Sequence, residues 1–125
     1  MNSAYILKIT TQSNYIKVLD KIFNYSSNSK GSVWEFCIEE GSILFENALL
    51  YFLELLESKC DDLSQIKIED ISIWYLYEYY GQCNIEFQPN ILKRMSNLNI
   101  TICISCWEGK EFLAKSGGAQ IVNDN

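Results

Sequence analysis

Two thiols three residues apart, in Cys103-Ile-Ser-Cys106, form the most chemistry-like spacing in the chain, because CxxC can hold part of a zinc set or cycle as a redox dithiol. The surroundings argue against both roles. Ile100 to Cys106 alternates as a strand does, and positions three apart in a strand project from opposite faces. No thioredoxin-like strand-to-helix turn follows, there is no second CxxC, and the chain has no histidine to complete a zinc set. No metal and no cofactor are expected.

The absence of histidine also removes Ser-His-Asp and Cys-His nucleophile systems, and with them the commonest general base near neutral pH. Paired acids at Glu39-Glu40, Asp61-Asp62 and Glu69-Asp70 fall near predicted element ends or in a connecting loop, where solvated surface charge is the ordinary role. Gly117-Gly118 lacks the Lys-Ser or Lys-Thr of a phosphate-binding loop. The run Trp74-Tyr-Leu-Tyr-Glu-Tyr-Tyr80 could stack bases, yet such platforms work beside basic grooves, and this run has no Lys or Arg. The chain is therefore read as not an enzyme; any activity would have to rest on carboxylates or on Cys37 and Cys103.

Charge points the same way. Ten basic against sixteen acidic residues give a formal charge of −6, so the overall field repels phosphate backbones and anionic lipid and attracts cationic surfaces. Neither nucleic acid nor membrane is an expected partner. No apolar stretch approaches the roughly 20 residues that span a bilayer, and Met1-Asn2-Ser3-Ala4 lacks a signal peptide's basic flank and cleavage site. The five cysteines form an odd set without an export signal, which favours reduced thiols. A cytoplasmic location is expected.

The elements that must position any site can be read from periodicity. With 125 residues, 48% of them hydrophobic, one domain over 1–125 has enough apolar material for its own core; the polar tail from Lys115 is expected to fray. Ala4 to Thr10 reads as a strand, and Ser13 opens a helix carrying Ile16, Leu19, Ile22 and Phe23. After the polar loop from Tyr25 to Ser32, Val33 to Ile38 alternates as a strand. Gly41-Ser42 then starts a helix whose Phe45, Ala48, Leu49, Phe52 and Leu56 form one apolar stripe. Ile71 to Tyr80, a turn at Gly81 and Gln82 to Phe87 read as a β-hairpin. Pro89 suits a first helical position; Ile91, Leu92, Met95 and Leu98 share one helical face; Asn99 suits a left-handed stop before the strand Ile100 to Cys106. From Val33 the order strand-helix-strand-strand-helix-strand predicts an α+β fold with a ferredoxin-like split β-α-β and a largely antiparallel sheet, preceded by an extra N-terminal strand and helix.

Residues two apart in a strand share a face. One face collects Trp34, Phe36, Ile38, Ile71, Ile73, Tyr75, Tyr77, Cys83, Ile85, Phe87, Ile100, Ile102 and Ile104, and should lie under the helices. The other collects Glu35, Cys37, Glu39, Trp74, Leu76, Glu78, Tyr80, Gln82, Asn84, Glu86, Cys103, Ser105 and Trp107. Rigid aromatics among carboxylates are what a protein interface needs, a few apolar anchors with a complementary charged rim. The plainer alternative is that the N-terminal elements or the tail cover this face.

The stretch Ile71-Ser-Ile-Trp-Tyr-Leu-Tyr-Glu-Tyr-Tyr-Gly-Gln-Cys-Asn-Ile-Glu-Phe-Gln-Pro, with the following helix and Ile100-Thr-Ile-Cys-Ile-Ser-Cys106, resembles a bacterial family called domain of unknown function forty-two seventy-nine. Lys30-Gly31 leading into Ser32-Val33-Trp34 and the helix after Gly41 extend the resemblance over most of the chain. Asn99 stands where that family would have glycine, and asparagine still reaches positive φ. Members carry no established activity, and some resemble immunity proteins of bacterial toxin systems. The resemblance thus implies a binding protein, with no functional residue to carry over.

An acidic, cytoplasmic immunity protein is also a physical fit to the charge, since many toxin nucleases, including those of contact-dependent growth inhibition, present basic clefts. On that reading the partner is a cationic cognate toxin. Glu35, Glu39, Glu78 and Glu86 would supply complementary charge, Trp74 and Tyr80 buried anchors, and Asn84 a hydrogen-bonding group. The alternative is a non-catalytic interaction or regulatory domain that self-associates through the same face.

Overall fold

Four β-rich runs pair into one sheet in the computed structural model, which describes residues 3–27, 29 and 31–109. They are β1 (Ala4–Thr11), β2 (Val33–Glu39), β3 (Ile68–Tyr79) and β4 (Ile100–Glu108), in the spatial order β2-β1-β3-β4. β1 lies antiparallel to both β2 and β3, whereas β3 and β4 run parallel. The protein is α+β with a mixed sheet. Lys30 and the expected tail, 115–125, lie outside the described residues.

Cross-strand register carries the apolar alternation from strand to strand. Trp34, Ile9, Ile71 and Ile100 form one row, Phe36, Leu7, Ile73 and Ile102 the next, and Ile38, Tyr5, Tyr75 and Ile104 the third. The helices α1 (Ile16–Phe23), α2 (Ala48–Ser58) and α3 (Cys60–Leu63) pack on this face. Leu19, Phe23, Ala48, Phe52, Leu56 and Leu63 meet Leu7, Ile9, Trp34, Phe36 and Ile73 in a single core. At α1's end Asn24 takes the left-handed conformation (φ 51°), and its N–H bonds back to the carbonyls of Asp20 and Lys21.

α4 (Pro89–Asn97) starts on the expected proline and buries Met95, and Leu98 joins the core beyond it. Asn99, at φ 58°, turns the chain directly into β4. Arg94 of α4 holds Glu57 of α2 in a two-pronged ion pair, with contacts of 2.7 and 2.8 Å.

Three expectations about assembly are corrected. The N-terminal strand is not an added element: it occupies a central position and touches both β2 and β3. Gln82–Phe87 does not form the second arm of a hairpin. Side chains at 83, 85 and 87 are half-buried and those between them exposed, but no pairing forms, because β1 and β4 already occupy both edges of β3. The segment instead leads into α4, supplying the crossover that a parallel β3–β4 pair requires. With that strand absent from the sheet, the order β2-β1-β3-β4 is not the expected ferredoxin-like one; two of the three ladders are antiparallel and one is parallel, so the sheet is mixed.

Candidate partner-binding face

On the sheet's other face, register assembles a second set of rows. Glu35, Lys8, Ser72 and Thr101 lie across from one another, then Cys37, Ile6, Trp74 and Cys103, then Glu39, Ala4, Leu76 and Ser105, and last Glu78 beside Trp107. Glu35, Cys37 and Glu39 are exposed, while Ile6, Lys8, Trp74 and Leu76 are half-buried. The core helices lie on the opposite side.

Of the residues singled out in the sequence, Glu35, Glu39 and Trp74 are brought together here. Glu78 shares the face but is only 7% exposed, and its N–H donates to the Ser3 hydroxyl at 3.0 Å. Tyr80 follows the end of β3 and is half-buried. Asn84 and Glu86 are exposed on the 82–88 connection, which joins no ladder, so sheet register does not place them with Glu35, Glu39, Trp74 and Glu78.

Two residues that matter here come from β1. Lys8 sits 4.3 Å from the centre of the Trp74 ring and 3.8 Å from Glu35 Oε2, so one ammonium joins a carboxylate to an aromatic face. The Trp74 indole N–H donates to the Ser72 hydroxyl at 3.1 Å, which fixes the ring. Ile6 stands between Cys37 and Trp74 and makes the centre of the face apolar. Alternation in Tyr5-Ile-Leu-Lys-Ile9 already put Ile6 and Lys8 on one side of their strand; that the strand is central was not legible.

Gly109 positions the far end of the face. Its N–H donates to the Tyr79 carbonyl at 2.8 Å, and a Cβ there would fall 2.5 and 2.7 Å from ring carbons of Tyr80 and 2.8 Å from Glu78 Oε2. Gly109→Ala should therefore displace Tyr80 and cost about 1–3 kcal/mol, the usual range for overpacking. Urea unfolding measures this, and an unchanged midpoint would mean that Tyr80 swings away freely.

Burial, then the neighbouring carboxylates Glu39 and Glu35, push the Cys37 thiol up from its ordinary value, so the nucleophilic thiolate is scarce at neutral pH. Titration with a chromogenic disulfide at pH 7 should show thiols reacting more slowly than glutathione, and Cys37→Ser should remove one equivalent of that slow reaction. A fast Cys37 would revive thiol chemistry. Among the described residues no three His, Cys, Asp or Glu side chains are grouped to hold a metal ion, and no helix is long and apolar enough to cross a membrane.

No protein-family model matches this chain, and neither a curated protein nor a solved structure matches it.

Proposed function

We propose that this chain is a non-catalytic binding protein that neutralises a cationic toxin by laying its open sheet face on the toxin's basic surface, as an immunity protein does. The observation carrying this reading is the juxtaposition of exposed Glu35 and Glu39 with Ile6 and Trp74 on the face turned away from the helices. Apolar, semi-rigid side chains supply burial, and the carboxylates steer a positively charged partner and select its orientation. Lys8 is the neutralising element within the site: a partner's Arg or Lys that approaches Glu35 replaces an ammonium already held there.

The test co-expresses the tagged full chain with the product of the gene immediately upstream, followed by titration calorimetry. The double variant Glu35→Lys with Glu39→Lys should weaken binding by about tenfold or more, equivalent to about 1.4 kcal/mol, and should flatten its salt dependence. Both positions are exposed, so the stability cost should stay at about 1 kcal/mol or less, from the lost Lys8–Glu35 pair and the like charge set opposite Lys8. Unaltered affinity would move the binding site off this face.

A further inference from the structure

The two outer edges of the sheet are built differently. β2's edge is guarded: exposed Glu35 and Glu39 stand on that strand, and the Glu35 N–H is taken up by the Ser29 hydroxyl at 2.8 Å. Charged side chains and occupied amides are two of the ways in which proteins keep edge strands from pairing with other chains.

β4 has a charged guard only at its last residue, exposed Glu108, and among the described residues none of its amides is taken up outside the β3 ladder. It is nine residues long, and from Ile100 to Trp107 it has no charged residue and no proline. Every residue from Ile104 to Glu108 is exposed, Ile104 to 43% and Trp107 to 39%. Among the described residues, the main chain of β4 bonds to no strand except β3. An edge this long, neutral and apolar is a template for one more strand.

We propose that β4 is a dimerisation strand, pairing antiparallel with β4 of a second copy about a two-fold axis at Ile104 to make one continuous eight-stranded sheet. A two-fold contact must be self-complementary, and β4 is. Centred on Ile104, the pairing sets Cys103 against Ser105, Ile102 against Cys106 and Thr101 against Trp107, with Ile104 against its own copy. No like charges face each other, and the first charged residue met is Glu108, opposite Ile100. A neutral strand needs no oppositely charged partner, which favours a second copy over a strand chosen by charge. Pairing uses the edge of the sheet and leaves Glu35, Glu39 and Trp74 uncovered, so it stands apart from toxin binding.

Sedimentation velocity on the full chain, from micromolar to several hundred micromolar, tests this. Because each copy carries −6, added salt screens repulsion and should strengthen the dimer, opposite in sign to its effect on an acidic face binding a basic partner. Ile104→Arg opposes two guanidinium groups at the axis and should raise the dimer dissociation constant by about tenfold or more. Ser105→Lys places the usual edge guard at an exposed position on the other face, and should act likewise even if Ile104→Arg fails to fold. A chain that stays monomeric throughout, or a dimer indifferent to Ser105→Lys, would overturn the proposal.

Discussion

Trp34→Ala should cost about 3–5 kcal/mol, the range for truncating a buried large aromatic, a large share of a total of about 5–15 kcal/mol. The indole has no exposed surface. Phe23 stacks on it at 4.9 Å, Tyr25 meets it edge-on at 5.9 Å, and Phe36 packs beside it at 6.1 Å. Its N–H donates to Asp20 Oδ1 at 2.7 Å, and the same oxygen accepts the Ser27 hydroxyl and amide. Truncation thus opens a cavity and also takes a donor from a carboxylate that ties α1 to the loop before β2. Trp34→Phe keeps most of the volume and should cost distinctly less. Chemical unfolding monitored by far-ultraviolet circular dichroism ranks the two, and equal losses would mean that the hydrogen bond dominates over packing.

The same carboxylate gives a pH signature. Burial acts to raise the Asp20 pKa, but the hydrogen bonds from Trp34 and Ser27, with Lys17 nearby, outweigh it and hold the group below its ordinary value. A depressed folded value contributes stability that is present above the unfolded carboxylate pKa, near about 4, and is lost as pH falls through the lower folded value. The stability gap between the natural chain and Asp20→Asn should therefore be widest near neutrality and shrink below about pH 4. A gap that is constant from pH 7 to pH 3 would show that Asp20 has no coupling to folding.

Ile73→Ala and Trp74→Ala should differ sharply although the residues are neighbours. Ile73 is wholly buried, with Leu7 on one side and Ile102 on the other, and its truncation should cost about 2–5 kcal/mol. Trp74 points to the face turned away from the helices, half-exposed, with the Lys8 ammonium over its ring and its N–H on Ser72; its loss should cost about 1–2 kcal/mol. The ranking runs against side-chain size, because burial rather than volume decides it. Paired denaturant melts measure both, and a Trp74→Ala loss as large as that of Ile73→Ala would mean that this face is covered, which would remove it as a binding surface.

Trp74, Glu35 and Glu39 could be assigned to one face from the sequence because strand periodicity is local: each residue's side follows from its neighbours two positions away. Glu78 was assigned correctly by the same rule, but its near-complete burial was not visible, since it depends on Gly109 and Ser3 arriving from distant parts of the chain. Alternation alone sets Asn84 and Glu86 on this face, and alternation cannot distinguish a paired strand from an extended connection. Nothing in the residues around Lys8 marks it, because its importance lies wholly in the Trp74 and Glu35 that stand beside it.

Composition and spacing alone determined the α+β class, the starts and stops at Pro89 and Asn99, the apolar faces of β2, β3 and β4 and the helical stripe from Ala48 to Leu56. All of these follow from interactions within a few residues. Only the tertiary structure decided that β1 is central, that β3 and β4 run parallel, and that Gln82–Phe87 stays out of the sheet. Strand pairing is a competition for edges among segments far apart in sequence, and each strand has only two. Once β1 and β4 had taken those of β3, a segment with a strand's pattern had nowhere to pair, and nothing in its own residues records that.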